Sequence, residues 1–212
     1  METEAGRQQA ALRAFVRAGG PAGRVYGLQW GDPRADPVLA AVRDRFLLPY
    51  LSPPGTVLEI GTGGGRWTRE MVGRAARLVL ADGVPEFEAA VRGHLPGIGA
   101  TFLVAPDGRL PAVADGSVDF AFSFDTFVHF HEPLFDAYVE TVGRVLRPGG
   151  YFTLHHARRY PGCGDGAGCF HYRDEPAVAA VLGRCGLREV ADYPIPRGFG
   201  SRVVLARRAG AG

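Results

Sequence analysis

The run Val57-Leu58-Glu59-Ile60-Gly61-Thr62-Gly63-Gly64-Gly65-Arg66-Trp67 leads an apolar strand into G-x-G-x-G. Glycine serves two ends in such a turn. It adopts positive φ without cost, and its missing side chain lets a ligand lie against the backbone. Glu59 is an acid inside that strand, where a carboxylate must be paired with amides or with a cationic ligand group. Asp82 ends the next apolar run, placed to accept both hydroxyls of an adenosine ribose or to cap the following helix. The histidines are grouped as well: His129 and His131 in FDTFVHFHEP, His155 and His156 in TLHHA. Histidine is the side chain best suited to take a proton near neutral pH.

The elements that position these residues are short apolar strands separated by helices. Strands are expected at Thr56–Ile60, Ala76–Ala81, Thr101–Val104, Val118–Phe124 and Tyr151–His156. Helices are expected near Arg66–Arg74, Pro85–His94 and Pro133–Leu146. That alternation predicts an α/β fold with helices on both faces of a mostly parallel sheet. After a helix near Glu175–Cys185, strands at Arg188–Tyr193 and Ser201–Arg207 have no helix between them and predict an antiparallel hairpin at the sheet edge. Helices at residues 3–18 and Pro37–Tyr50 (the second capped by Asp36) precede the first strand. Residues 157–172 form one long irregular insertion, of a length more often functional than idle. In an open parallel sheet the C-terminal strand ends line the ligand crevice, so both histidine pairs point toward the glycine loop. Only one of His155 and His156 can face it, because strand side chains alternate.

LEIGTGGG, with Asp82 after the second strand, resembles the S-adenosylmethionine site of class I methyltransferases. The likeness extends from about Val57 to Arg207 and includes the Leu110-Pro111 turn, VDFAFSFD, LRPGG and the terminal hairpin. It implies a Rossmann-like three-layer sandwich with a seven-stranded sheet, in one domain over 1–212. Residues 1–52 would form a helical lid and 53–212 the cofactor-binding core. By the same resemblance Glu59, Gly61, Thr62, Gly63 and Gly65 line the methionine and sugar portion. Asp82 and Gly83 hold the ribose, Asp107 and Gly108 flank the adenine, and Phe124 and Asp125 sit where acceptor meets methyl. The acidic adenine partner of the family usually stands slightly earlier, where this chain has Ala105-Pro106. A dinucleotide site would need G-x-G-x-x-G, and its third glycine would fall on Arg66.

The reaction this implies is in-line displacement at a sulfonium methyl, accelerated by alignment and exclusion of water. An alcohol acceptor gains from a general base, for which His129 and His156 are the candidates, with Asp125 as orienter or substrate contact. Tyr26, Trp30, Phe170, Tyr172 and Arg173 are expected to wall the acceptor pocket. A hydroxyl of a sugar or secondary metabolite is the expected acceptor. Nitrogen or carbon methylation and cofactor binding without turnover are the alternatives.

The bulk properties narrow the field. Of 212 residues 22% are charged, with a formal net charge of +2, and every one of the 24 basic residues is arginine. That balance is too weak for a nucleic-acid or membrane-surface protein, and the Asn/Asp-Pro-Pro-aromatic motif of N-methylating enzymes is absent at Ser123-Phe124-Asp125-Thr126. No apolar run nears the ~20 residues of a membrane span. The polar, acid-bearing N-terminus is not expected to be a signal peptide. Cys163, Cys169 and Cys185 are too few for a disulfide framework, and C-x5-C-x-H at Cys163, Cys169 and His171 matches no usual zinc spacing, so no metal is expected. Together these favour a cytoplasmic chain acting on a small molecule.

Overall fold

The structure is a computed structural model that describes residue 10, residues 13–14, 25–158, 170–196 and 200–210. Seven strands form one sheet: β1 (Thr56–Ile60), β2 (Arg77–Asp82), β3 (Ala100–Val104), β4 (Val118–Ser123), β5 (Leu146–Ala157), β6 (Leu187–Pro194) and β7 (Ser201–Arg208). Their order is β3-β2-β1-β4-β5-β7-β6. β1 to β5 run parallel, and β7 slots between β5 and β6 antiparallel to both. The buried central strands read as near-continuous apolar runs because both faces are covered.

Each face has its own core. On one side α4 (Glu132–Val145) and α5 (Glu175–Arg184) pack Phe135, Val139, Val142, Val178 and Leu182 against Leu58, Ile60, Ala121 and Phe152. On the other, α1 (Pro37–Phe46), α2 (Thr68–Met71) and α3 (Glu86–His94) surround Val57, Leu80, Phe120 and Phe122. Asp36 caps α1 as expected, accepting from the amides of Val38 and Leu39, and Pro37 stands in its first turn. Leu39, Val42 and Phe46 are buried, and the Phe46 carbonyl accepts from the Thr153 hydroxyl of β5 at 2.7 Å. Residues 37–51 are thus a layer of the core, and among the described residues before β1 it is the segment from residue 25 to 36 that lies against the glycine turn and α2.

Some boundaries differ from the sequence expectation. The helix expected at Arg66–Arg74 contracts to Thr68–Met71, because the three-glycine turn uses up its first residues. β5 starts at Leu146, and Arg147-Pro148-Gly149-Gly150 enter the sheet through an irregularity opposite Val118 and Phe120. Of the helix expected at 3–18, only residues 10 and 13–14 are described. Residues 159–169 of the insertion, with Cys163 and Cys169, lie outside the described residues.

Candidate active site

The strand order reverses between β1 and β4, which each start a run in opposite directions across the sheet. A crevice opens at such a switch point, outside the carboxyl ends of the strands. Two contacts set its floor. The Ser123 hydroxyl donates to the Ile60 carbonyl at 2.9 Å, tying the end of β4 to that of β1. Gly61, at φ +75, turns directly beneath Thr126, and a Cβ on it would lie 2.0 Å from the Thr126 hydroxyl oxygen. Glycine is required there by both space and backbone conformation.

Tyr26 closes the loop from above. A Cβ on Gly64 would meet the Tyr26 backbone nitrogen at 2.6 Å, and one on Gly63 the Tyr26 ring at 3.3 Å. The Tyr26 ring meets Trp30 edge-on at 5.3 Å and Phe87 of α3 at 5.0 Å. Trp30 itself is 53% exposed. Of the expected acceptor wall, Tyr26 therefore sits on the glycine loop and Trp30 packs on Tyr26.

The two acids meet at this loop. Asp82 Oδ2 accepts from the Gly63 amide at 3.1 Å, and Oδ1 from the Val84 amide at 2.9 Å. Burial pushes the Asp82 carboxyl up to about 6, while the amides of Gly63, Val84 and Gly83 pull the other way. Glu59 Oε2 accepts from the Thr68 hydroxyl at 2.6 Å. Burial raises Glu59 to about 8 against that hydrogen bond, helped by the charge of Asp82 and opposed by Arg66. Near neutral pH Glu59 keeps its proton and Asp82 is largely ionised, so the turn faces one protonated acid and one carboxylate, a combination that suits a ligand bringing hydroxyls and positive charge.

Asp125 follows β4 with a positive φ of 56, unusual for a residue with a side chain. Its carboxylate has two partners. Oδ1 lies 3.1 Å from His155 Nδ1, and Oδ2 is paired with Arg66 Nη2. Burial alone would raise the Asp125 carboxyl, but His155 and Arg66 outweigh it and hold it well below the usual carboxylate range. The His155 ring stacks on Phe124 at 4.2 Å, and the Arg66 guanidinium lies 5.8 Å from the ring centres of both Phe124 and Trp67.

The histidines divide accordingly. It is His155, not His156, that the structure brings to Asp125. His156 alternates to the opposite face with Phe152 and Leu154, is buried, and is pushed down to about 3 by that burial. His129 stacks on Phe170 at 5.2 Å and His171 donates its amide to the Val128 carbonyl at 2.8 Å, so the end of the insertion packs on the segment after β4. Arg173 is engaged by two acids of α4. It pairs with Asp136 at 2.5 Å and Glu132 at 3.5 Å and lies over the Phe135 ring. Tyr172, half-buried, is its neighbour in the same segment.

Asp107 accepts from the Arg109 amide at 3.1 Å and closes its own turn. Gly108, at φ +78, passes close to the Tyr138 amide. This turn is held to the crevice by the Ala105 amide, which donates to the Asp82 carbonyl at 2.8 Å. Among the described residues no group of three or more His, Cys, Asp or Glu is arranged to hold a metal, and no helix is long and apolar enough to cross a membrane. Sequence reasoning missed Arg66 and His155 as partners of Asp125. The signal for Arg66 was present, as an arginine set immediately after three glycines beside a crevice-forming turn.

Residues 57–150 match a family model described as a methyltransferase domain. The chain is 35% identical over 103 residues to a malonyl-[acyl-carrier protein] O-methyltransferase of Methylococcus capsulatus, covering 46% of this chain and 36% of that protein. It is 31% identical over 99 residues to the methyltransferase tpcM of Aspergillus fumigatus, covering 47% of this chain and 30% of that one. The chain thus spans about a third of the length of these curated relatives. The structure of Burkholderia thailandensis 1,6-didemethyltoxoflavin-N1-methyltransferase, solved with S-adenosylhomocysteine, superposes with a TM-score of 0.67 at 22% identity, covering 96% of this chain and 90% of that one.

Proposed function

We propose that this chain, whose residues 57–150 match a methyltransferase-domain model, is a class I methyltransferase that transfers the methyl group of S-adenosylmethionine to a hydroxyl of a small molecule. The observation that carries the choice of oxygen is the Asp125–His155 pair at the mouths of β4 and β5. An alcohol must lose a proton as it attacks, whereas a free amine reacts through its lone pair. His155 Nδ1 lies 3.1 Å from the Asp125 carboxylate and 3.2 Å from the Asp125 amide nitrogen. In the tautomer that donates Nδ1–H to the carboxylate, Nε2 would be the atom that takes the acceptor's proton.

The buried acids fit the cofactor. Asp82 would hold the ribose hydroxyls, and Glu59 with the 61–65 turn would meet the positively charged methionine portion. The bound cofactor supplies an electrophilic methyl that is already activated. The chain's own residues then align and dry the reaction: Phe124 walls the β4 mouth, Tyr26 covers the glycine loop, and Arg66 neutralises Asp125. Sugars and secondary metabolites are the acceptor class that suits the chain's compact size and the aromatic residues of its covering segment, Tyr26 and Trp30, and a cytoplasmic setting goes with sparse cysteine use. The modest net charge argues against a nucleic-acid partner.

The test is incubation with methyl-labelled S-adenosylmethionine and a panel of alcohols, phenols and amines, with His155→Ala alongside. Label on a hydroxyl acceptor, lost in the variant, is the expected result. Label on amines alone, at a full rate in His155→Ala, would overturn the hydroxyl assignment.

A further inference from the structure

Arg66 does more than neutralise Asp125: the residue is only 5% exposed, and its guanidinium joins two parts of the site. Nη1 donates to the Gly27 carbonyl of the covering segment at 3.1 Å, and Nη2 pairs with Asp125. Gly27, at φ +103, comes so close that a Cβ there would lie 3.3 Å from the Arg66 side chain. Asp125 in turn holds His155, and its own backbone is fixed in the left-handed region. The amides of Leu28, Trp30 and Gly31 close a short turn on Val25, Gly27 and Leu28, so the covering segment has its own reporters.

We propose that Arg66 is a positioning residue that couples the seating of the covering segment at Gly27 to the orientation of the Asp125–His155 pair. This rests on the methyl-transfer reading of that pair. A guanidinium suits the task because its planar fork offers several donors in fixed directions, so one side chain can satisfy a carbonyl and a carboxylate together. A lysine ammonium can serve either but is a poor bridge between both. The consequence is that the proton-accepting imidazole is aligned only when Tyr26 and its neighbours lie over the glycine turn. The other titratable or charged groups nearby are Glu59, which interacts with Arg66 from β1, His156 beside His155 on β5, and Arg202, which faces His156 from β7.

The coupling is readable without any acceptor, through hydrogen exchange of the Leu28, Trp30 and Gly31 amides in the full chain. Arg66→Gln should speed their exchange about tenfold, the scale of one charge-assisted hydrogen bond. Asp125→Asn has no contact with the covering segment among the described residues, yet should speed the same amides, and the double variant should exchange no faster than Arg66→Gln alone. Arg66→Lys should restore only part of the protection. In turnover, Arg66→Gln should lower kcat more than it raises the KM for the acceptor. Unchanged exchange in Asp125→Asn, or additive effects in the double variant, would overturn the coupling. Failure of S-adenosylmethionine to bind would instead sink the methyl-transfer reading and leave the exchange result standing.

Discussion

The Asp82 carboxylate accepts from the Gly63 amide at 3.1 Å, so the acid that ends β2 braces the turn that leaves β1. Two strands that are neighbours in the sheet thereby share one polar lock at their carboxyl ends. The acid is held in place before any ligand arrives, which lowers the ordering cost of binding.

The turn beneath Thr126 should tolerate no side chain at position 61. Gly61→Ala places a Cβ 2.0 Å from the Thr126 hydroxyl at a φ of +75. We expect a loss of ~3 kcal/mol or more in denaturant unfolding, from overpacking plus backbone strain. Adding Thr126→Ala removes part of the clash and should recover part of that loss, leaving the strain. A Gly61→Ala protein as stable as the parent would show that the turn is not packed as described.

Stability should carry a signature of the buried acids. Glu59 rises from 4.5 to about 8 and Asp82 from 3.8 to about 6 in the folded chain, chiefly through burial. Folded protein therefore keeps protons that the unfolded chain gives up. The contribution is full below about pH 4 and declines as pH rises, through about 6 for Asp82 and through about 8 for Glu59. Glu59→Gln should remove its part of that slope, worth on the order of a few kcal/mol between pH 5 and 8.5. Thermal midpoints measured across that range check it. Equal pH dependence in parent and variant would contradict the protonated state of Glu59.

The same acids predict proton release on binding. A cationic ligand beside Glu59 favours its charged form, so titration near pH 7 should expel protons. Calorimetry in two buffers of different ionisation enthalpy would measure it. Heats independent of buffer would mean that Glu59 keeps its proton or never meets the ligand's charge.

The histidines should separate cleanly. His155→Ala should cost kcat about 10²- to 10⁴-fold, the range of a general base. His156→Ala should leave turnover within a few-fold and lower stability by ~1–3 kcal/mol, because His156 is buried on the opposite face. A larger kcat loss in His156→Ala than in His155→Ala would reverse the assignment.

Much of this was legible in the chain before folding. The periodic apolar runs gave the sheet and its edge hairpin, and Asp36 announced the start of α1, because burial and capping are local, repetitive demands on residue type. The glycines and Asp82 were legible for the same reason, since only those residue types suit such a turn. What escaped was contact across strands. His155 and His156 are chemically identical in sequence, and only the register of β5 against β4 decides which one reaches Asp125. Arg66 read as a mismatch to a dinucleotide motif, while its two partners stand at Gly27 and Asp125, distant in sequence on either side. Arg173 read as a fixed cation in the acceptor wall, and the acids of α4 that engage it came from an element assigned only to packing.

The most direct test of the central claim is calorimetric titration with S-adenosylmethionine, S-adenosylhomocysteine and NADH, repeated on Asp82→Ala. Binding of the first two in the micromolar range, weakened at least ~10-fold in the variant, is the predicted result. Binding of NADH alone, or of the adenosyl ligands with undiminished affinity in Asp82→Ala, would contradict the cofactor site and the methyl transfer built on it.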